Sequence, residues 1–134
     1  MFSLLETAGA VEAHLEAALG AVGLSLAKLG VLNLLAEARG PLPPSALAER
    51  QHCVRSNITQ LIDRLEKDGL VRRQPDPRDR RGVLAALTPA GERAYARGMR
   101  ALAQAQRAIV RVLSAGDATS LEHGLRSLAP SRRH

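Results

Sequence analysis

The stretch Ser56–Glu92, SNITQLIDRLEKDGLVRRQPDPRDRRGVLAALTPAGE, decides the fold. Ile58, Leu61, Ile62 and Leu65 recur at i, i+3, i+4 and i+7, which predicts an amphipathic helix over Arg55–Lys67. Gly69 follows as the residue that can turn left-handed after a helix, with apolar Leu70 beside it. Leu70–Gln74 and Val83–Leu87 read as two short strands. Between them, Pro75–Gly82 holds two prolines, two aspartates and a glycine, the composition of a turn. The expected unit is a helix followed by a β-hairpin with a long, charged tip.

Working outward, Pro43-Pro44 opens a short helix with Leu47 and Ala48 inward, ending near Gln51 or His52. This helix and the next have helix-turn-helix proportions. Ser25 is the expected N-cap of a helix over Leu26–Ala38, apolar over most of its circumference and stopped by Gly40-Pro41. Leu4, Ala8, Val11, Leu15, Ala18 and Val22 follow 4,3,4,3,4 spacing, a seam that packs along another helix. Downstream, Thr88-Pro89 starts a helix running to about Leu113, and Ser114 caps a last helix with Leu121, Leu125 and Leu128 inward. The predicted class is mainly α with a small β-hairpin wing. Residues 1–24 form an N-terminal dimerisation helix, 25–88 a winged helix-turn-helix, and 89–134 C-terminal dimerisation helices. Long terminal helices with apolar seams need a partner, and a second copy supplies it with two-fold symmetry.

Composition narrows the function. The chain has 134 residues, a formal charge of +6, and 19 basic residues of which only two, Lys28 and Lys67, are lysine. An arginine-rich basic chain suits an anionic partner. The single cysteine, Cys53, rules out an internal disulfide framework, and no signal peptide or membrane span is legible. These features predict a soluble, cytoplasmic protein without a membrane partner.

The candidate chemistry lies on the outer face of Arg55–Lys67 and on the hairpin tip. Arg55, Ser56, Asn57, Thr59, Gln60 and Arg64 are types that read base edges or bind phosphate in a major groove. Asp63 also falls on this outer face. Arg78, Arg80 and Arg81 at the tip suit an adjacent minor groove, whose negative potential attracts arginine. Asp76 and Asp79 offset part of that charge and shape the turn.

SNITQLIDRLEKDGLVRR, DPRDRR and LTPAGE together closely resemble the MarR family of bacterial transcription regulators. The resemblance implies a homodimer, more often a repressor, with two winged lobes on a pseudo-palindromic double-stranded DNA operator. Its half-sites would lie about one helical turn apart. It further implies that Arg81 enters the minor groove, that Asp63 pairs with Arg81 to hold the wing against the recognition helix, and that Arg64 faces phosphate or base. Family members often bind small effectors between the dimer helices and the winged lobe, which places Leu15, Leu19, Lys28, Leu29 and Leu32 near a candidate pocket. The same leucines equally read as core. The peroxide-sensing branch of the family has a reactive cysteine in the first helix, and this chain has none there. Cys53, in the turn before the recognition helix, reads either as a small spacer or as a thiol whose oxidation disturbs DNA docking.

His14, His52, His123 and His134 lack metal-ligand spacing, and no cofactor is expected. No Ser-His-Asp or paired-carboxylate arrangement points to an enzyme. The rival to a DNA-binding regulator is a winged-helix module that binds protein, and the arginine tip argues against it.

Overall fold

The structure, a computed structural model, describes residues 2–51, 55–111 and 115–128, with the side chains of Phe2, Ser3, Leu4, Arg55, Ser56, Ala115, Asp117, Ala118, Leu121 and Glu122 outside the described part. Among the described residues, six helices and one hairpin run in the order α1 (Phe2–Gly20), α2 (Leu26–Ala38), α3 (Pro44–Gln51), α4 (Arg55–Lys67), β1 (Val71–Asp76), β2 (Asp79–Leu87), α5 (Pro89–Val110) and α6 (Ala115–Leu128). This is a mainly α chain with a two-stranded antiparallel wing, as expected. His52, Cys53 and the expected Ser114 cap lie outside the described residues.

One apolar core joins the winged unit to the flanking helices. Leu19 of α1, Val31, Leu32 and Leu35 of α2, Leu47 of α3, Ile58, Ile62 and Leu65 of α4, and Val71 of β1 are all fully or almost fully buried. The predicted inner face of α4 therefore does pack inward. α5 closes over α2 through Gly98, where an added Cβ would lie 2.7 Å from methyls of both Leu24 and Leu29.

Local capping explains most boundaries. The Ser25 hydroxyl accepts the Lys28 amide at 3.1 Å and starts α2. The end of α2 differs from expectation, because the left-handed cap is Arg39 at φ 54° rather than Gly40. At the end of α4, Gly69 at φ +76° lets its own amide reach Glu66 and the Leu70 amide reach Leu65, each at 2.9 Å. This paired arrangement is the Schellman stop.

The hairpin corrects the expected long tip. β1 extends to Asp76 and β2 begins at Asp79, leaving Pro77-Arg78 as the turn. Register runs from Val71↔Leu87 to Pro75↔Val83, then jumps to Asp76↔Asp79, so Arg80, Arg81 and Gly82 form a bulge on β2. The Asp76 and Asp79 carboxylates accept the amides of Arg78 and Arg81, two residues on, at 2.9 and 3.0 Å. These local bonds let a turn-like composition stay paired. The terminal helices differ too: Leu125 and Leu128, which periodicity places inward, are 55% and 74% exposed in the single chain.

The wing joins α5 through one crowded junction. The Thr88 hydroxyl accepts the Gly91 amide at 3.0 Å and donates to the Gly69 carbonyl at 2.6 Å, tying the start of α5 to the end of α4. A Cβ on Gly91 would clash with the Leu70 carbonyl oxygen, so only glycine fits without a shift. Gly91→Ala is expected to lower unfolding free energy by about 2–4 kcal/mol, as overpacking against a rigid backbone does. Urea denaturation measures this, and an unchanged midpoint would refute the junction.

Candidate nucleic-acid interface

The outer face of α4 carries Asn57, Thr59, Gln60, Asp63 and Arg64, all exposed, above the buried Ile58, Ile62 and Leu65. Arg55 and Ser56 begin the same helix. The apolar period therefore fixes which polar side chains reach solvent. Arg78, Arg80 and Arg81 are exposed on the wing, so the predicted helix face and tip belong to neighbouring elements.

Arg73 holds these elements together, and the sequence reading does not single it out. From β1 its guanidinium forms ion pairs with Asp63 at 2.5 Å and Glu66 at 3.0 Å, both on α4. The Arg73 amide donates to the Glu66 carboxylate at 3.0 Å, and Nη2 makes a weak 3.5 Å contact to the Thr59 carbonyl. Thr59, Asp63 and Glu66 are spaced by four and three residues, so they line one edge of α4. Desolvation of the Arg73 side chain opposes its charge. The hydrogen bonds and attraction of Asp63 and Glu66 outweigh that cost and hold its pKa above the ordinary arginine value.

This pairing corrects the partner implied for Asp63. Its ion pair is with Arg73 on the first strand, not with Arg81. The Arg81 amide is bound by Asp79, and among the described residues no ion pair joins Asp76 or Asp79 to an arginine side chain of the tip. The aspartates bend the tip through the backbone, and the three guanidinium groups stay available to an anion.

The candidate effector residues divide. Leu19, Leu29 and Leu32 are core, at 4% exposure or less, and Leu15 is half-buried. The Lys28 ammonium is engaged by Asp68 at 2.9 Å, tying α2 to the segment after α4. Among the described residues no group of histidine, cysteine and carboxylate side chains could hold a metal, and no helix is long and apolar enough to cross a membrane.

A polar helix face beside an arginine-tipped hairpin, above a helix pair, defines a winged helix-turn-helix protein. Residues 24–83 match the model of the MarR family. It is similar to the HTH-type transcriptional regulator YkoM of Bacillus subtilis (strain 168), with 39% identity over 69 residues, covering 52% of this chain and 44% of YkoM. The matched segment thus spans less than half of that relative. A solved structure from Pseudomonas aeruginosa, described as a probable transcriptional regulator, superposes with a TM-score of 0.82 at 29% identity, covering 96% of this chain and 95% of the other. A cysteine-to-serine mutant of MarR from E. coli, solved in complex with operator DNA, shares the fold with a TM-score of 0.80 at 24% identity over 95% of this chain and 91% of its own.

The Arg73–Asp63 pair is partly exposed, so its coupling should be modest. A double-mutant cycle with Arg73→Ala and Asp63→Ala is expected to give about 0.5–1 kcal/mol, decreasing in high salt. Strict additivity of the two single mutants at low salt would refute the pair.

Proposed function

We propose that the chain is a sequence-specific, double-stranded DNA-binding transcription regulator that acts as a homodimer and represses from a pseudo-palindromic operator. The observation that carries this reading is the Arg73 bridge. It couples an α4 face bearing Asn57, Thr59, Gln60 and Arg64 to a tip bearing Arg78, Arg80 and Arg81. In the proposed complex α4 lies in the major groove with Arg55 and Ser56 in its leading turn, while the tip reaches the flanking minor groove. Arginine and amide side chains read guanine and adenine edges, and the tip supplies charge where the groove is narrow. The name of the YkoM relative and the fold shared with operator-bound MarR support this reading.

Dimerisation is supported by apolar side chains that one chain leaves exposed on its terminal helices. Leu5 on α1 is 64% exposed, Val110 on α5 49% and Leu125 on α6 55%. We therefore assign residues 1–24 and 89–134 to the dimer and residues 25–88 to the DNA-binding lobe. Two copies would place two α4 helices on half-sites about one helical turn apart. A small ligand would release the operator by favouring a lobe spacing that does not match it.

Arg81→Ala is expected to weaken operator binding about tenfold, the loss of one charge-assisted contact, at near-physiological salt. Fluorescence anisotropy reads the affinity, while sedimentation and circular dichroism should show an unchanged dimer and helix content. Unchanged affinity removes the wing from the interface, and the absence of any steep salt dependence in the wild type would favour the protein-binding module instead. Truncation after Ser114 is expected to give monomers or aggregates. A stable, DNA-competent monomer would contradict the terminal-helix dimer.

A further inference from the structure

Helix α5 and its C-cap carry Arg93, Arg97, Arg100, Arg107 and Arg111, all exposed. Exposed Gln104 fills the gap between Arg100 and Arg107, so the six residues step along the helix by four and three alternately. At about 3.6 residues per turn they stay within about 40° of one line, which runs about 27 Å from Arg93 to Arg111. Among the described residues no carboxylate pairs with any of the five arginines. Glu92, the one acidic residue of α5, sits about 100° around the helix from that line. Arg93–Arg97, Arg97–Arg100 and Arg107–Arg111 therefore set like charges one turn apart, a spacing that a helix resists unless an anion covers it.

The other two faces of α5 have their own roles. Gly91, Ala94, Gly98 and Ala105 are buried and form the core face. Met99, Ala103 and Val110 form a second face, where Met99 and Val110 are exposed beside an apolar groove. That face belongs with the surface assigned above to a second copy. The arginine line lies between the two, roughly 100° from each. Arg107 and Arg111 border the apolar groove, whereas Arg93, Arg97 and Arg100 stand clear of it.

We propose that this arginine face is a second, sequence-independent DNA surface, which holds the phosphate backbone of duplex outside the operator. A duplex carries a negative charge about every 1.7 Å along its axis, so a straight stripe of guanidinium groups meets phosphates in any register. Exposed Ala96 and half-buried Ala103 flank the stripe and leave the guanidinium groups the outermost atoms. Small flanking residues give a membrane nothing to bury, since interfacial helices need large apolar side chains beside their basic ones. The surface shares no residue with α4 or the wing tip. It gives the protein a hold on DNA that reads no bases, of the kind that keeps a regulator near its site and speeds its arrival. The choice of DNA as occupant rests on the DNA-binding reading, whereas the stripe itself does not.

Fluorescence anisotropy of a labelled random-sequence duplex, titrated with the full chain over a salt series, tests the surface. The triple variant Arg93→Gln, Arg97→Gln, Arg100→Gln should flatten the slope of log affinity against log salt by about 2–3, the loss of three phosphate contacts. The wild type should then lose about fortyfold more affinity than the variant between about 50 and 200 mM salt. Glutamine is a good helix former, so circular dichroism should show the helix content kept. The corresponding triple lysine variant should restore the slope, because a phosphate contact needs the charge and not the guanidinium plane. A wild-type slope in the glutamine variant, or no binding of the random duplex by the wild type at low salt, overturns the proposal. A glutamine variant that sediments as a monomer assigns the face to a second copy and overturns it too. Tighter binding of polyglutamate or of phosphatidylglycerol vesicles than of the duplex, lost in the glutamine variant, would give the face another occupant. A parallel variant, Arg78→Gln, Arg80→Gln, Arg81→Gln, separates the two readings. If only this tip variant loses affinity for the duplex, the α5 surface fails and the wing stands; if only the α5 variant does, the reverse holds.

Discussion

A recognition helix and a wing can read one stretch of duplex only if the angle between them is fixed, and both elements lie at the surface of this fold. Arg73 fixes it by reaching across from β1 to Asp63 and Glu66, one helical turn apart on the edge of α4. Each pair is partly exposed and contributes little to global stability. Their value is geometric, because two ion pairs and the bond from the Arg73 amide constrain both position and rotation of the helix. The far end of α4 is held independently, by the Gly69 stop and by the Thr88 hydroxyl bonded to the Gly69 carbonyl. The helix is thus tied to the strand beside it and to the helix that follows the wing.

Much of this frame is legible from residues. The apolar period of Ile58, Leu61, Ile62 and Leu65 and the turn at Gly69 place α4 at Arg55–Lys67, the bounds the structure has. Ser25 and Thr88 announce their helices because a hydroxyl at the N-cap satisfies an otherwise unbonded amide. The hairpin misleads because prolines, aspartates and a glycine also describe a bulged strand pair, in which the bulge absorbs three residues and carboxylates bond the backbone. Arg73 is overlooked when β1 is treated only as a strand. Alternation from buried Val71 would put it on the side of α4, opposite carboxylates spaced three apart.

Other discrepancies share a cause. Periodicity reports which residues are apolar, but not whether they meet a cavity, a core or another chain. Leu19, Leu29 and Leu32 fill the core, whereas Leu125 and Leu128 stay exposed until something covers them.

Hydroxyl-radical footprinting on the DNA flanking the protein's own gene, with wild type and Arg73→Gln side by side, tests the central claim most directly. Loss of the bridge should preserve protection by α4 and weaken the flanking minor-groove protection assigned to Arg78, Arg80 and Arg81. Two identical footprints would show that the wing is positioned without Arg73, and would contradict the role assigned to the bridge.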